Sequence, residues 1–283
     1  MNNHSSHPPA QAFFLNAESG QRFCLYYPVA ADTQIQGAVI YIHPFGDEMN
    51  MSRRMAALQA QAFATQGFAV LQMDLFGCGD SSGEFCDARW DIWKDDIALA
   101  QKWLNERHAV PISLWGLRLG GLLALDFAKH AGDAIHTLIL WHPVTSSETF
   151  LTQFLRLRLA NQMIDDGNEK ASGTRALREI LAAGTAIEVA GYEIAPAMAA
   201  ALDALDISTL SPVNKRVHWI DITADATRPM APANARTVAI WEQEGIDLTL
   251  HRVSCPAFWS AQEVVTSPEL LSATASILSQ GAS

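Results

Sequence analysis

Positive charge is scarce in this chain: 19 lysines and arginines stand against 30 aspartates and glutamates in 283 residues, a formal net charge of -11. No basic stripe or run is present. Phosphate-rich surfaces are met by clustered Lys and Arg, so neither a nucleic acid nor an anionic membrane is expected as partner. Cysteine is scarce too. The four, Cys24, Cys78, Cys86 and Cys255, form no Cys-x-x-Cys pair and no framework, which points to reduced thiols rather than disulfides or zinc. The nine histidines are scattered, with no His-x-His or His-x-x-x-His pair near a candidate loop, so no metal and no cofactor is expected. No apolar stretch reaches the roughly 18 residues that would span a bilayer, and residues 1–12 lack the basic start and apolar core of a signal peptide. A cytoplasmic protein without a transmembrane segment is the expectation. Internal repeats and low-complexity segments are absent as well.

The most telling absence is a single hydroxyl. Gly116-Leu117-Arg118-Leu119-Gly120-Gly121 has the frame of a Gly-x-Ser-x-Gly nucleophile elbow, between an apolar run that reads as a strand and an Ala- and Leu-rich run that reads as a helix. Its central position holds arginine instead of serine. A guanidinium stays protonated and has no lone pair with which to attack a carbonyl, so Arg118 cannot act as the nucleophile.

What is present reads as an α/β protein. With 49% hydrophobic residues the chain can form one large core burying about 75% of the unfolded surface. Residues 23–27, 38–43, 69–74, 112–115, 137–141, 217–222 and 248–253 read as strands. Residues 52–65, 88–107 and 119–129 read as helices, with Ser52 and Asp87 as expected caps of the first two. Near-continuous apolar strands separated by helices predict a mostly parallel, doubly wound sheet covered on both faces. The alternation stops over residues 145–206, which become Ala- and Leu-rich with charges. The expected organisation is a single domain over 1–283 with a helical lid inserted at 145–206.

Several segments together carry a resemblance. They are Pro44-Phe45-Gly46-Asp47-Glu48-Met49-Asn50 with Ser52-Arg53-Arg54-Met55, the turn Asp74-Leu75-Phe76-Gly77-Cys78-Gly79-Asp80-Ser81, Ala88-Arg89-Trp90-Asp91, the elbow, and Phe154-Leu155-Arg156-Leu157-Arg158. Their combination resembles the exosortase A system-associated hydrolase of the second type, a branch of the α/β hydrolase superfamily related to serine aminopeptidase-like and acyl-ester hydrolases. The match is dense over residues 37–160 and returns at Pro256-Ala257-Phe258-Trp259. It implies the α/β-hydrolase fold, a setting in bacterial exosortase-dependent sorting and exopolysaccharide production, and an elbow arginine that is a family trait.

By that resemblance the amides of Phe45 and Leu119 are the oxyanion-hole donors, and Pro44 leaves the first of them available. The triad acid would fall at Asp221 or Asp225. The triad histidine has no occupant, because none lies between His251 and the C-terminus and His251 falls inside a strand. Arg118 at a helix N-terminus, beside the two amides, would form a receptor for a carboxylate or phosphate. A cation there calls for an answering anion, either a ligand or one of Asp47, Glu48, Asp221 and Asp225. Three readings stay open: a non-hydrolytic protein binding a small anionic or acylated ligand or a pathway protein; an ester or thioester hydrolase or acyltransferase with rearranged chemistry, using Cys78, Ser81, Ser82 or a water held by His43 or His142; and a scaffold that docks another protein through the lid.

Overall fold

The computed structural model describes residues 8–30, 32–166 and 173–280. Residues 1–7 of the polar N-terminal stretch and residues 167–172 of the expected insertion lie outside the described residues. The strands are β1 (Gln11–Asn16), β2 (Gln21–Tyr27), β3 (Gly37–Ile42), β4 (Phe68–Met73), β5 (Ile112–Leu117), β6 (Ile135–Trp141), β7 (Ile187–Val189), β8 (Tyr192–Ile194), β9 (Arg216–Thr223) and β10 (Asp247–Ser254). The helices are α1 (Asp47–Thr65), α2 (Trp90–Asn105), α3 (Leu119–His130), α4 (Ser147–Asp166), α5 (Thr174–Ala182), α6 (Pro196–Ala204), α7 (Pro232–Gln243) and α8 (Pro268–Gln280).

Eight strands form one sheet in the order β1-β2-β4-β3-β5-β6-β9-β10. β2 is antiparallel to both β1 and β4, and the remaining pairs are parallel. Every residue of β3 and β5 is buried, as expected of parallel strands covered on both faces. Successive side chains alternate between two cores. Val39 and Tyr41 share one core with Met55 and Phe63 of α1 and Ile277 of α8, while Ile40 and Ile42 share the other with Ile97 of α2 and Leu122 of α3. Met55 and Phe63 are fully buried, each contributing about 1.5–3 kcal/mol of apolar burial.

Between β6 and β9 the chain leaves the sheet for α4, α5, the β7–β8 hairpin and α6. The hairpin turns through Ala190 and Gly191, both at positive φ. Beside its three helices the insertion carries this hairpin, which the sequence did not reveal because two three-residue strands are too short to show a period of two. Strand β1 and helices α7 and α8 also stand outside the elements read from the sequence. β1 is an edge strand whose pattern is largely exposed, so no continuous apolar run marks it.

Both expected caps are displaced. α1 begins at Asp47 after Gly46, and Ser52 is inside it, donating its hydroxyl to the Glu48 carbonyl at 2.6 Å. The acidic pair Asp47 and Glu48 occupies the first turn, where the helix dipole favours negative charge. α2 begins after Arg89, and Asp87 closes a preceding 3₁₀ turn by accepting the Glu84 amide at 3.1 Å.

One buried ion pair ties the β1–β2 edge to the helical layer. Arg22 Nε donates to Asp96 Oδ1 at 2.6 Å with both side chains 2% exposed, and Asp96 Oδ2 accepts the Phe76 amide at 2.8 Å. Removing one partner of such a pair strands the other charge. Asp96→Ala is expected to lower unfolding free energy by about 3–5 kcal/mol in urea titrations, while a paired apolar replacement, Arg22→Met with Asp96→Leu, loses less.

Candidate ligand-binding site at the strand elbow

The elbow is set by how closely α3 approaches β3. A Cβ on Gly120 would lie 2.3 Å from the Ile42 carbonyl oxygen and 2.5 Å from that of His43. A Cβ on Gly116 would lie 2.5 Å from the Gly120 carbonyl oxygen. Only glycine fits at either position. Between them the chain reverses at Arg118, with φ 54° and ψ -119°, a strained conformation for a side chain of this size. The turn is held on both sides: the Arg118 amide donates to Trp141 at 2.9 Å, and its carbonyl accepts from Gly121 at 3.0 Å and Val144 at 3.3 Å.

That backbone presents the guanidinium to a cleft of about 420 Å³. Arg118 meets Glu48 there, with Nη2 at 3.3 Å and Nε at 3.4 Å from Oε1. Of the four carboxylates proposed as its partner, Glu48 takes the role. Burial raises the Glu48 carboxyl above its ordinary range, opposed by the Arg118 charge and hydrogen bond. The guanidinium carbon also lies 5.3 Å from the Trp259 ring and 5.9 Å from the Phe150 ring, within reach of cation–π attraction. Phe45, Phe154 and Tyr192 complete an aromatic wall. Neither the Phe45 amide nor the Leu119 amide donates to a backbone carbonyl among the described residues, and Leu119 is the first residue of α3, where helical amides lack intrahelical acceptors.

The acids and histidines sit differently from the sequence expectation. Asp221 binds Arg252 at 3.2 Å rather than Arg118, and its other oxygen faces His142 Nδ1 at 3.8 Å. Asp225 is a half-buried loop residue that accepts from Thr227 and lies 3.5 Å from Arg228. His142, at positive φ after β6, stacks on Trp259 at 5.2 Å. Burial, then the Arg118 charge, lowers its pKa to about 4 against the pull of Asp221, so the ring is neutral near pH 7. His43 is committed elsewhere: Nδ1 donates to the Pro44 carbonyl at 2.7 Å and Nε2 accepts the Leu75 amide at 3.1 Å. No ring nitrogen remains to hold a water.

The substitute nucleophiles are committed as well. Ser81 donates to the Asp74 carbonyl and accepts the Phe23 amide at 2.9 Å, and Ser82 accepts the Gln21 amide at 2.9 Å. Both pin the Asp74 turn to β2. Cys78 is buried, and burial followed by the Asp74 and Asp96 charges pushes its thiol well above the usual range, the opposite of an activated thiolate. His251 is paired with His218 at 3.2 Å. Among the described residues no group of three or more His, Cys, Asp or Glu could hold a metal ion.

Trp259 is the site residue that sequence reasoning passed over. It stands in the short 3₁₀ turn Phe258–Ser260 after the last strand, where a base would be expected, and an indole cannot accept a proton there. Its signal was available: Pro256-Ala257-Phe258-Trp259 occupies the loop that lacks histidine.

The family model for serine aminopeptidase, S33, matches residues 33–174, half of the chain. The chain belongs to this S33 family. A probable acyltransferase of Methanothermobacter thermautotrophicus is 26% identical over 153 residues, covering 52% of this chain and 47% of that protein; the chain thus spans about half the length of the curated relative it matches. Among solved structures, Est1E from Butyrivibrio proteoclasticus with ferulic acid bound superposes at TM-score 0.65 with 15% identity, covering 95% of this chain and 97% of that one. A thermostable carboxyl esterase from Bacillus coagulans in complex with glycerol gives 0.63 and 14%, covering 98% and 100%. At such identities the likeness shows the fold, an α/β-hydrolase fold with a mostly parallel sheet. No helix among the described residues is long and apolar enough to cross a membrane.

The geometry predicts a titration. An unfolded imidazole binds its proton near the ordinary 6.5, whereas His142 does so at about 4, so acidification through that window favours the unfolded state and withdraws stability. Followed by NMR of the imidazole, Arg118→Ala is expected to move the His142 midpoint upward because a nearby positive charge has been removed. An unchanged midpoint would show that the two groups do not interact.

Proposed function

We propose that this S33-family protein is a non-hydrolytic pseudoenzyme that binds an anionic or acylated ligand at Arg118, in the cytoplasm and in the exosortase and exopolysaccharide setting implied by the sequence resemblance. One observation carries the reading. An arginine occupies the elbow where the nucleophile would stand, and Trp259 lies 5.3 Å from it on the side where the base would stand. Acyl transfer through an enzyme-bound ester needs a hydroxyl or thiol and a group to take its proton. What remains of a hydrolase site is its binding half: the Phe45 and Leu119 amides, a helix N-terminus, a charged fork and an apolar cleft.

His142 favours a second reading, a hydrolase with a water nucleophile. Its neutral ring, with Asp221 behind Nδ1 at 3.8 Å, has the composition of a general base and its orienting acid. The two readings separate in a turnover assay with short- and medium-chain nitrophenyl esters and thioesters. The binding reading expects no turnover above blank by the parent or by Arg118→Ser, since a restored hydroxyl has no imidazole positioned for it. Turnover by the parent that disappears in His142→Ala would establish the water mechanism instead.

A further inference from the structure

The Arg118–Glu48 pair leaves one atom unexplained. Glu48 Oε1 receives both contacts from Arg118, at 3.3 and 3.4 Å, while Oε2 is buried with no hydrogen-bond partner. Charge-assisted N–H···O contacts normally close to about 2.7–2.9 Å, so this pair is loose. A buried carboxylate oxygen without a donor is costly. It calls for a proton of its own or a group donating to it.

The surroundings hold more positive potential than Glu48 cancels. Arg118 sits at the N-terminus of α3 and Glu48 in the first turn of α1, so two helix N-termini, each equivalent to roughly half a positive charge, converge with the guanidinium. Arg118 Nη1 makes no hydrogen bond, and the Phe45 and Leu119 amides face no carbonyl among the described residues. A second carboxylate brought to this point would be met by all of them. It would also repel an ionised Glu48, unless Glu48 takes a proton on Oε2 and becomes a donor.

We propose that the cleft binds a monocarboxylate with an apolar, flat or extended tail, and that Glu48 takes up one proton from solvent as it binds. The ligand carboxylate enters as an anion. Arg118 donates to it through the fork, and the new Glu48 hydroxyl donates to it from the other side, so the net charge of the site is unchanged. The tail lies among Phe150, Phe154, Leu157, Tyr192 and Trp259. A cleft of about 420 Å³ is of the size that takes small ligands, which suits a medium acyl chain or a single phenyl ring.

The other charged or titratable groups near Glu48 come from several elements. Asp47, which also lines the cleft, and Arg53 lie on its own helix, Tyr41 comes from β3 and Tyr192 from β8, and both phenols are raised by burial. His142, after β6 with Asp221 behind it, is held neutral down to about 4. Among the described residues α4 presents Phe150, Gln153, Phe154 and Leu157 to the cleft. A neighbouring anion favours the protonated carboxyl, so while the ligand itself stays ionised affinity falls by up to about tenfold per pH unit above the Glu48 titration point.

This inference rests on the cleft being the ligand site, as proposed above. Calorimetry with the full chain tests it, titrating octanoate and 3-phenylpropanoate in buffers of different ionisation enthalpy, with octanamide and inorganic phosphate as comparisons. Both carboxylates are expected to bind with uptake of about one proton and to weaken at least about tenfold in Arg118→Ala. Glu48→Gln, which imitates the protonated acid, is expected to bind octanoate without proton uptake and without pH dependence. Binding by the parent with no proton uptake, or an undiminished pH dependence in Glu48→Gln, would overturn the proposal. Tight Arg118-dependent binding of octanamide or of phosphate in place of octanoate would overturn it too, while leaving the cleft as the ligand site. Silence from all four probes would remove both. Matching unfolding curves of the variants confirm that a lost signal is lost binding.

Discussion

The first turn of α3 is pressed against the carboxyl end of β3, with Gly120 over the Ile42 and His43 carbonyls and Gly116 over the backbone of Gly120. No side chain fits in that contact, so the chain between the two glycines reverses within one residue and throws its side chain outward. The rest of the site follows from this constraint. It turns the 118 side chain into the cleft whatever its chemistry, and it brings the Leu119 amide beside the loop that carries Phe45. In this chain the exposed position holds a cation at a helix end that disfavours cations. Glu48, delivered by the first turn of the neighbouring α1, answers that charge.

The consequences spread to the aromatic residues. Trp259 lies 5.3 Å from the guanidinium carbon and stacks on His142 at 5.2 Å, so one indole touches both the elbow side chain and the residue after β6. Phe45 meets Phe150 and Phe154 of α4 edge-on, at 5.7 and 5.1 Å, which fixes the excursion between β6 and β9 over the elbow. The cleft is therefore a cationic floor under an aromatic roof.

The buried strands were legible because parallel strands covered on both faces must be largely apolar, as Ala38 to Ile42 and Leu114 to Leu117 are. β1 was not, because an edge strand needs no such run, and the β7–β8 hairpin was too short to show its period. The start of α1 was misplaced because Asp47 and Glu48 look like loop residues in sequence. Only the dipole of the formed helix and the Arg118 charge give them their place in the first turn. Arg118, Phe45, Leu119 and Glu48 were read as site residues, but the sequence left four carboxylates equal as partners of the arginine. Distance along the chain does not rank them: Glu48 is 70 residues from Arg118, and Asp221 is drawn off by Arg252, its neighbour across the β9–β10 pair.

By itself the sequence determined the layered α/β architecture, the glycine frame of the elbow and the arginine at its centre, because each is written in local composition: apolar runs, residues without a Cβ, and a side chain that cannot attack. The tertiary structure alone decided which acid meets Arg118, that Trp259 lies against the guanidinium, that His43, Ser81 and Ser82 are hydrogen-bonded within the turns, and that Cys78 is buried. Those outcomes depend on which groups are desolvated together and which hydrogen bonds they find. Both are properties of contacts between strands and helices remote in sequence, and they exist only once the sheet has closed around them.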